Sequence, residues 1–264
     1  MAFLIPDKVR TEYGLEIKEK ILPAALKPDT KLSNGTGKVE YITIHNTDDI
    51  NEAADTNDAE QYARATFNGN MGGVTVHYYI DETDCWQILK EDEIGYHAAD
   101  GKTGPGNGTS LAIEIIMDGS GSNADTAAEN RGAKLAAILL YRHGLSIDRL
   151  ANHNIWYPNK YCPAYILPHW DEFKNKVEAY LLEIISTDNN INEGAGKVAD
   201  TDDIIYRVQV GAFKNKENAD NYVKTLKAAG FEAFTVIAGY VDGDGQITSA
   251  DARTALRKSV GLEE

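Results

Sequence analysis

The sequence predicts an α/β protein, a mixed sheet flanked by helices, followed by a small α+β domain. Short β-branched and aromatic runs alternate with helical patterns as far as about residue 185. The stretch from Ser186 to Asp203, STDNNINEGAGKVADTDD, holds almost no large apolar residue and has the composition of a linker. Beyond it a strand, helix and strand pattern resumes. The expected organisation is therefore a first domain over 1–185, a flexible linker over 186–203 and a small domain over 204–264.

Up to about residue 38, charges mixed with Pro23, Pro28 and SNGTG read as a loop-rich lead-in with one short helix. KVEYITIHNT alternates β-branched and aromatic residues, a strand ending at His45. DTNDAEQYARATFN has a capping-type start and spaces Ala59, Tyr62, Ala63 and Phe67 as a helix does. GGVTVHYYIDETDCWQILKEDE reads as two adjacent strands joined by the turn-prone DETD, and SLAIEIIMDG as another strand. AENRGAKLAAILLYRHGL is strongly helical with Gly144 as its stop, and HWDEFKNKVEAYLLEII makes a further amphipathic helix. After the linker, IIYRVQVGAF is a strand, KENADNYVKTLKAAG a helix stopped by Gly230, and FEAFTVI a second strand.

At 264 residues, with 42% hydrophobic and 25% charged residues, the chain can bury a sizeable core. No apolar run approaches the roughly 18 to 20 residues that span a bilayer. A net charge of −15 argues against a partner bound through phosphates, so nucleic acid is not expected. Cys85 and Cys162 are too few for a disulfide scaffold, although one bridge stays open. The N-terminus lacks a basic start and a sustained apolar centre, and no signal peptide is expected.

Zinc catalysis needs three nitrogen or sulfur ligands on separate elements and an open position for water. His45, at a strand end, with His153 and Cys162 of NHNIWYPNKYCP, would supply that set. Taken singly, each has a structural explanation: a satisfied core histidine or a small buried thiol.

YITIHNT, VTVHYYID, GYHAADG, SLAIEIIMD and NHNIWYPNKYCP, in this order, resemble the zinc-dependent N-acetylmuramoyl-L-alanine amidases of the type-2 family, which includes phage endolysins, autolysins and peptidoglycan recognition proteins. The resemblance spans roughly residues 15–183 and implies a mixed, mostly parallel central sheet. It implies His45, His153 and Cys162 as zinc ligands, Glu114 as the base and Lys160 as the cation beside the scissile carbonyl. Val76 stands where many relatives carry a tyrosine, which favours Glu114 as the base. The interval from His153 to Cys162 is one residue longer than the common family spacing, with Pro158 placed to absorb it. His77 and His97 match cleft-lining positions that would contact substrate, while His143 and His169 read as ordinary helix-end or surface residues. Cys85 is the competitor for Cys162, through a disulfide, but its place before Trp86 in an apolar segment suggests a buried strand or turn residue.

YRVQVGAFKNKENADNYVKTLKAAGFEAFTV resembles the first half of a sporulation-related repeat (SPOR) domain, which implies binding to peptidoglycan glycan strands with Gln209 and Phe213 as contacts. The tail YVDGDGQITSADARTALRKSVGLEE resembles a dockerin-type calcium loop, with Asp242, Asp244, the Gln246 carbonyl, Thr248 and Asp251 as oxygen ligands. Tyr240 occupies the place of the first acidic ligand, and ADARTALRKSV reads equally well as the second helix of the small domain. In that case a short or missing last strand would leave an edge open for dimerisation.

The resemblance implies a peptidoglycan hydrolase cutting the amide between N-acetylmuramic acid and L-alanine. The expected setting is a phage or prophage endolysin, made in the cytoplasm without a signal peptide and released to the wall by a holin-type pore, with a secreted autolysin second. The rival of another class is a non-catalytic peptidoglycan-recognition protein. Such members typically lack the cysteine ligand, which is present here as Cys162.

Overall fold

The computed structural model describes residues 3–28, 30–47, 58–194, 221–225 and 227. The chain divides into two compact units, Met1–Ala199 and Asp200–Glu264. In the second unit Asn221–Thr225 are helical, inside the segment expected to be a helix. Gln209, Phe213, the candidate calcium loop and the candidate dimerisation edge lie outside the described residues.

The first unit runs β1 (Lys8–Glu12), β2 (Leu15–Glu19), a single turn α1 (Leu32–Gly35), β3 (Tyr41–Asn46), α2 (Asp58–Phe67), β4 (Tyr78–Ile80), β5 (Cys85–Gln87), α3 (Pro105–Thr109), β6 (Ser110–Ile115), α4 (Asn123–Arg142), β7 (Leu150–Asn152), α5 (His153–Trp156) and α6 (Trp170–Gly194). The strands form one sheet in the order β1-β2-β5-β4-β6-β3-β7. Pairing is antiparallel in β1·β2 and β4·β5 and parallel in β2·β5, β4·β6, β3·β6 and β3·β7, the mixed, mostly parallel sheet expected.

The alternation of the central strands sorts their side chains onto two faces. Ile42 and Ile44 of β3 and Leu111, Ile113 and Ile115 of β6 join the core built with α4 and α6, where Leu135, Leu139, Phe173 and Val177 are buried. Each such side chain contributes about 1.5–3 kcal/mol on burial. Ala112, Ile116, Tyr79 and Trp86 face the other way, into a smaller core with Ala59 and Ala63 of α2. Thr43 and His45 alternate with Ile42 and Ile44, so the face turned from α4 and α6 carries the polar side chains.

Asp81 organises the DETD turn between β4 and β5. Its Oδ1 accepts from the Thr83 and Asp84 amides, and its Oδ2 accepts from the Ala59 amide at the start of α2. The capping-type residues before α2 lie outside the described residues.

Two expectations are corrected. The lead-in is not mainly loop: KVRTEYGLEIKE forms the β1–β2 hairpin at the sheet edge. Tyr13 and Gly14 both take positive φ (46° and 77°), as the tight hairpin turn matching strand twist requires. Leu15 and Ile17 point into the core while the alternate charges face outward. Secondly, the last helix does not end near 185. It runs through Gly194, and past the expected end Asp188 accepts hydrogen bonds from the Tyr13 and Tyr141 hydroxyls at 2.9 and 2.6 Å.

Candidate metal centre

His45, His153 and Cys162 come together, with one ligand-type atom of each lying within 4.8 Å of the others. All three are buried. His45 stands near the carboxyl end of β3, and His153 opens α5 directly after β7, the parallel neighbour of β3. Chemistry at the carboxyl ends of parallel strands is the general arrangement in α/β sheets.

Cys162 arrives on the loop that leaves α5, and Asn154 shapes that loop. Its backbone amide donates to the Cys162 carbonyl at 2.9 Å, and its Nδ2 donates to the Lys160 and Pro158 carbonyls at 2.8 and 3.2 Å. The long interval therefore closes on itself through one side chain. Asn46, at the end of β3, accepts from the Tyr165 amide at 3.1 Å and fixes the far side of the loop. Asn152 caps α5 by accepting from the Ile155 amide at 3.1 Å. Trp156 donates its indole N–H to Thr43 Oγ1 at 2.9 Å, and Thr43 meets Ser110 Oγ at 2.8 Å, tying α5 to β3 and β6.

The donor set suits a metal of borderline softness: two imidazoles and a thiol. His45 Nδ1 lies 3.7 Å from Cys162 Sγ, and the His45 and His153 rings are 4.6 Å apart. Neither ring nitrogen of His153 has a partner of hydrogen-bonding geometry among the described residues. Buried polar atoms are rarely left so, and an ion is one group that satisfies them. Burial holds His45 well below the usual histidine range, with the His97, His153 and Lys160 charges adding to the shift. Burial and then Lys160 lower His153 to about 4, with the Ala98 backbone and Asp100 opposing. Both rings are thus neutral at pH 7, the form that ligates.

Glu114 is the direct register partner of His45 in the neighbouring strand and also faces Tyr79 of β4. It is half-buried and makes no hydrogen bond among the described residues. Burial pushes its carboxyl up to about 7, with the Lys160 charge pulling the other way. Lys160 is exposed on the loop before Cys162, and its charge is felt at Glu114, His45 and His153.

Two residues expected to contact substrate are placed differently. His77 is fully buried, accepts from the Ala112 amide on Nδ1 at 3.0 Å and meets the Glu93 carbonyl through Nε2 at 2.8 Å. It is a structural crosslink with no nitrogen left for a ligand. His97 is 7% exposed and its Nδ1 lies 3.0 Å from His45 Nε2, so it stands directly against a candidate metal ligand. Cys85 lies opposite Ile80 in the α4-side core, and no disulfide joins it to Cys162. His143 and His169 bond Glu91 and Glu129 at 2.6 and 2.8 Å.

Sequence reasoning missed the asparagines that build the centre: Asn46, Asn152 and Asn154. Their signal was faint, since asparagine in a loop ordinarily marks only a turn.

Residues 35–165 match the profile of the N-acetylmuramoyl-L-alanine amidase family (Amidase_2), and residues 203–248 match the SPOR domain. The structure resembles that of the catalytic domain of XlyA, with a TM-score of 0.54 and 30% identity over 62% of this chain and 99% of that one. The chain belongs to the N-acetylmuramoyl-L-alanine amidase family. Two curated Bacillus subtilis relatives carry the same family name. XlyB is 36% identical over 54% of this chain and 43% of its own length, and CwlA is 32% identical over 68% and 65%. The chain therefore spans less than two thirds of either relative. PlyL gives a TM-score of 0.54 at 28% identity, over 62% of this chain and 97% of that one. The five motifs that suggested an amidase fall on β3, on and just before β4, on the segment before α3, on β6 and on the α5 loop, and the first and last of them supply His45, His153 and Cys162.

Proposed function

We propose that the chain hydrolyses the amide between the lactyl group of N-acetylmuramic acid and L-alanine in bacterial peptidoglycan, with a zinc ion held by His45, His153 and Cys162. The carrying observation is the convergence of two neutral buried imidazoles and a buried thiol beside a carboxyl that makes no hydrogen bond among the described residues.

When bound, zinc supplies Lewis acidity and lowers the pKa of an attacking water toward neutrality. Glu114 would serve as the base: a carboxyl that burial raises to about 7 can accept a proton and return it to the leaving amine at neutral pH. Lys160 presents a cation toward the centre, where the carbonyl oxygen gains negative charge as the amide carbon becomes tetrahedral. The loop clamp of Asn154 holds Lys160 and Cys162 in one frame, so the cation and the thiol ligand move together.

The SPOR match supports a wall-binding role for residues 203–248, which would hold the catalytic unit near glycan strands. An endolysin or autolysin acting on the wall fits both units.

Replacing Cys162 with serine tests the reading. C162S should lose wall hydrolysis and bound zinc while the protein still sediments with purified walls. Hydrolysis by C162S at the wild-type rate would overturn it.

A further inference from the structure

We propose that His97 is a positioning residue of the metal centre: it accepts the Nε2 proton of His45 and thereby leaves the His45 Nδ1 lone pair to the metal. This inference rests on the zinc reading above.

A neutral imidazole carries one proton and one lone pair, and the partner of one nitrogen decides which role the other plays. His45 has a different neighbour at each nitrogen. Nε2 lies 3.0 Å from His97 Nδ1, and Nδ1 lies 3.7 Å from Cys162 Sγ. With the proton on Nε2, His45 donates to His97 and turns its lone pair toward Cys162 and His153. With the proton on Nδ1, the lone pair would point away from the sulfur and the centre would lose a ligand. The two rings stand edge to face, with centroids 5.1 Å apart at 89°, so His97 also fixes the plane of the His45 ring.

His97 is itself held in place from its backbone. Asn107 Oδ1 accepts from both the His97 and Ala98 amides at 2.8 Å. Asn107 is in turn fixed by Asp100 Oδ1, which accepts from its amide at 3.1 Å, and by the Gly101 carbonyl, which accepts from its Nδ2 at 3.1 Å. On the other side Gly95 lets the chain pass so close that an added Cβ would lie 2.7 Å from the Thr75 carbonyl oxygen and 3.3 Å from the His97 ring. The segment GYHAADGKTGPGN is thus a cradle for a single buried imidazole, held against His45.

The test uses the full chain with two substitutions. His97→Gln keeps a side-chain acceptor, while His97→Leu removes it at similar bulk. Zinc affinity is measured by competition with a chromophoric chelator, alongside the melting temperature of the metal-free proteins. His97→Leu should weaken zinc binding by about 10- to 100-fold, the usual range for such outer partners, and His97→Gln by much less. Equal affinity in all three proteins, or equal loss in both variants, would overturn the inference. A measurement that needs no variant is the histidine tautomer in the zinc-loaded wild type by nitrogen NMR. A proton on His45 Nε2 supports the inference, and a proton on Nδ1 overturns it. Failure of the underlying reading looks different: the wild type would bind no zinc, and Cys162→Ser would change nothing.

Discussion

His45 and Glu114 are direct partners across the parallel strands β3 and β6, and both side chains rise from the sheet face turned away from α4 and α6. The register of two strands therefore sets the spacing between the proposed metal ligand and the proposed base. Little else is needed to hold them together, since the alternating apolar residues Ile42, Ile44, Ile113 and Ile115 lock both strands into the opposite core.

The raised carboxyl of Glu114 has a consequence for stability. The unfolded chain ionises it near 4.5, whereas burial raises it to about 7 in the folded protein. The folded state thus binds the extra proton in that window. Its contribution to stability is complete below 4.5 and is lost as pH rises through about 7. Glu114→Gln removes this dependence. In the metal-free protein the stability of the variant relative to wild type should rise between those values, as read by urea denaturation. Parallel curves across the window would show a carboxyl that is not desolvated. The same substitution should reduce hydrolysis by about 10²- to 10⁴-fold with zinc still bound.

Asn154→Ala should affect activity more than stability. The side chain makes hydrogen bonds to the Lys160 and Pro158 carbonyls on a partly exposed loop, worth about 1 kcal/mol together. Small displacements of catalytic groups cost far more, so kcat should fall by about ten- to a hundredfold. A steady-state comparison at saturating zinc separates the two effects.

His77→Phe should do the reverse. It leaves the buried Ala112 amide and Glu93 carbonyl without partners, at a cost of about 2 kcal/mol or more. KM for wall fragments should be unchanged in the folded fraction, and a raised KM would restore His77 to the substrate cleft.

Gly95→Ala places a methyl group 2.7 Å from a backbone oxygen that cannot swing aside. Destabilisation of about 1–3 kcal/mol is expected from such overpacking, measurable as a lower denaturation midpoint.

The strands YITIH and SLAIEI were legible because their two-residue period is uninterrupted, and with them the places of His45 and Glu114. The β1–β2 hairpin hid behind its charges: Lys8, Arg10, Glu16 and Lys18 suggest a solvated lead-in, yet they alternate with residues such as Leu15 and Ile17 that face the core. In the extension of α6 Asp188 meets two tyrosines from distant elements, a contact that local composition does not carry. His77 and His97 were recognised as belonging to the site region, but their roles depend on burial and on which neighbour each nitrogen meets. Those are properties of packing, which a motif does not record.

The most direct test of the amidase reading is the chemistry of digestion. Purified cell walls are incubated with the protein, with and without a chelator, and the new chain termini are identified. The account predicts new N-terminal alanine amines that disappear on chelation and return with zinc. Firm wall binding with no new termini in either condition would contradict it and would make the chain a recognition protein.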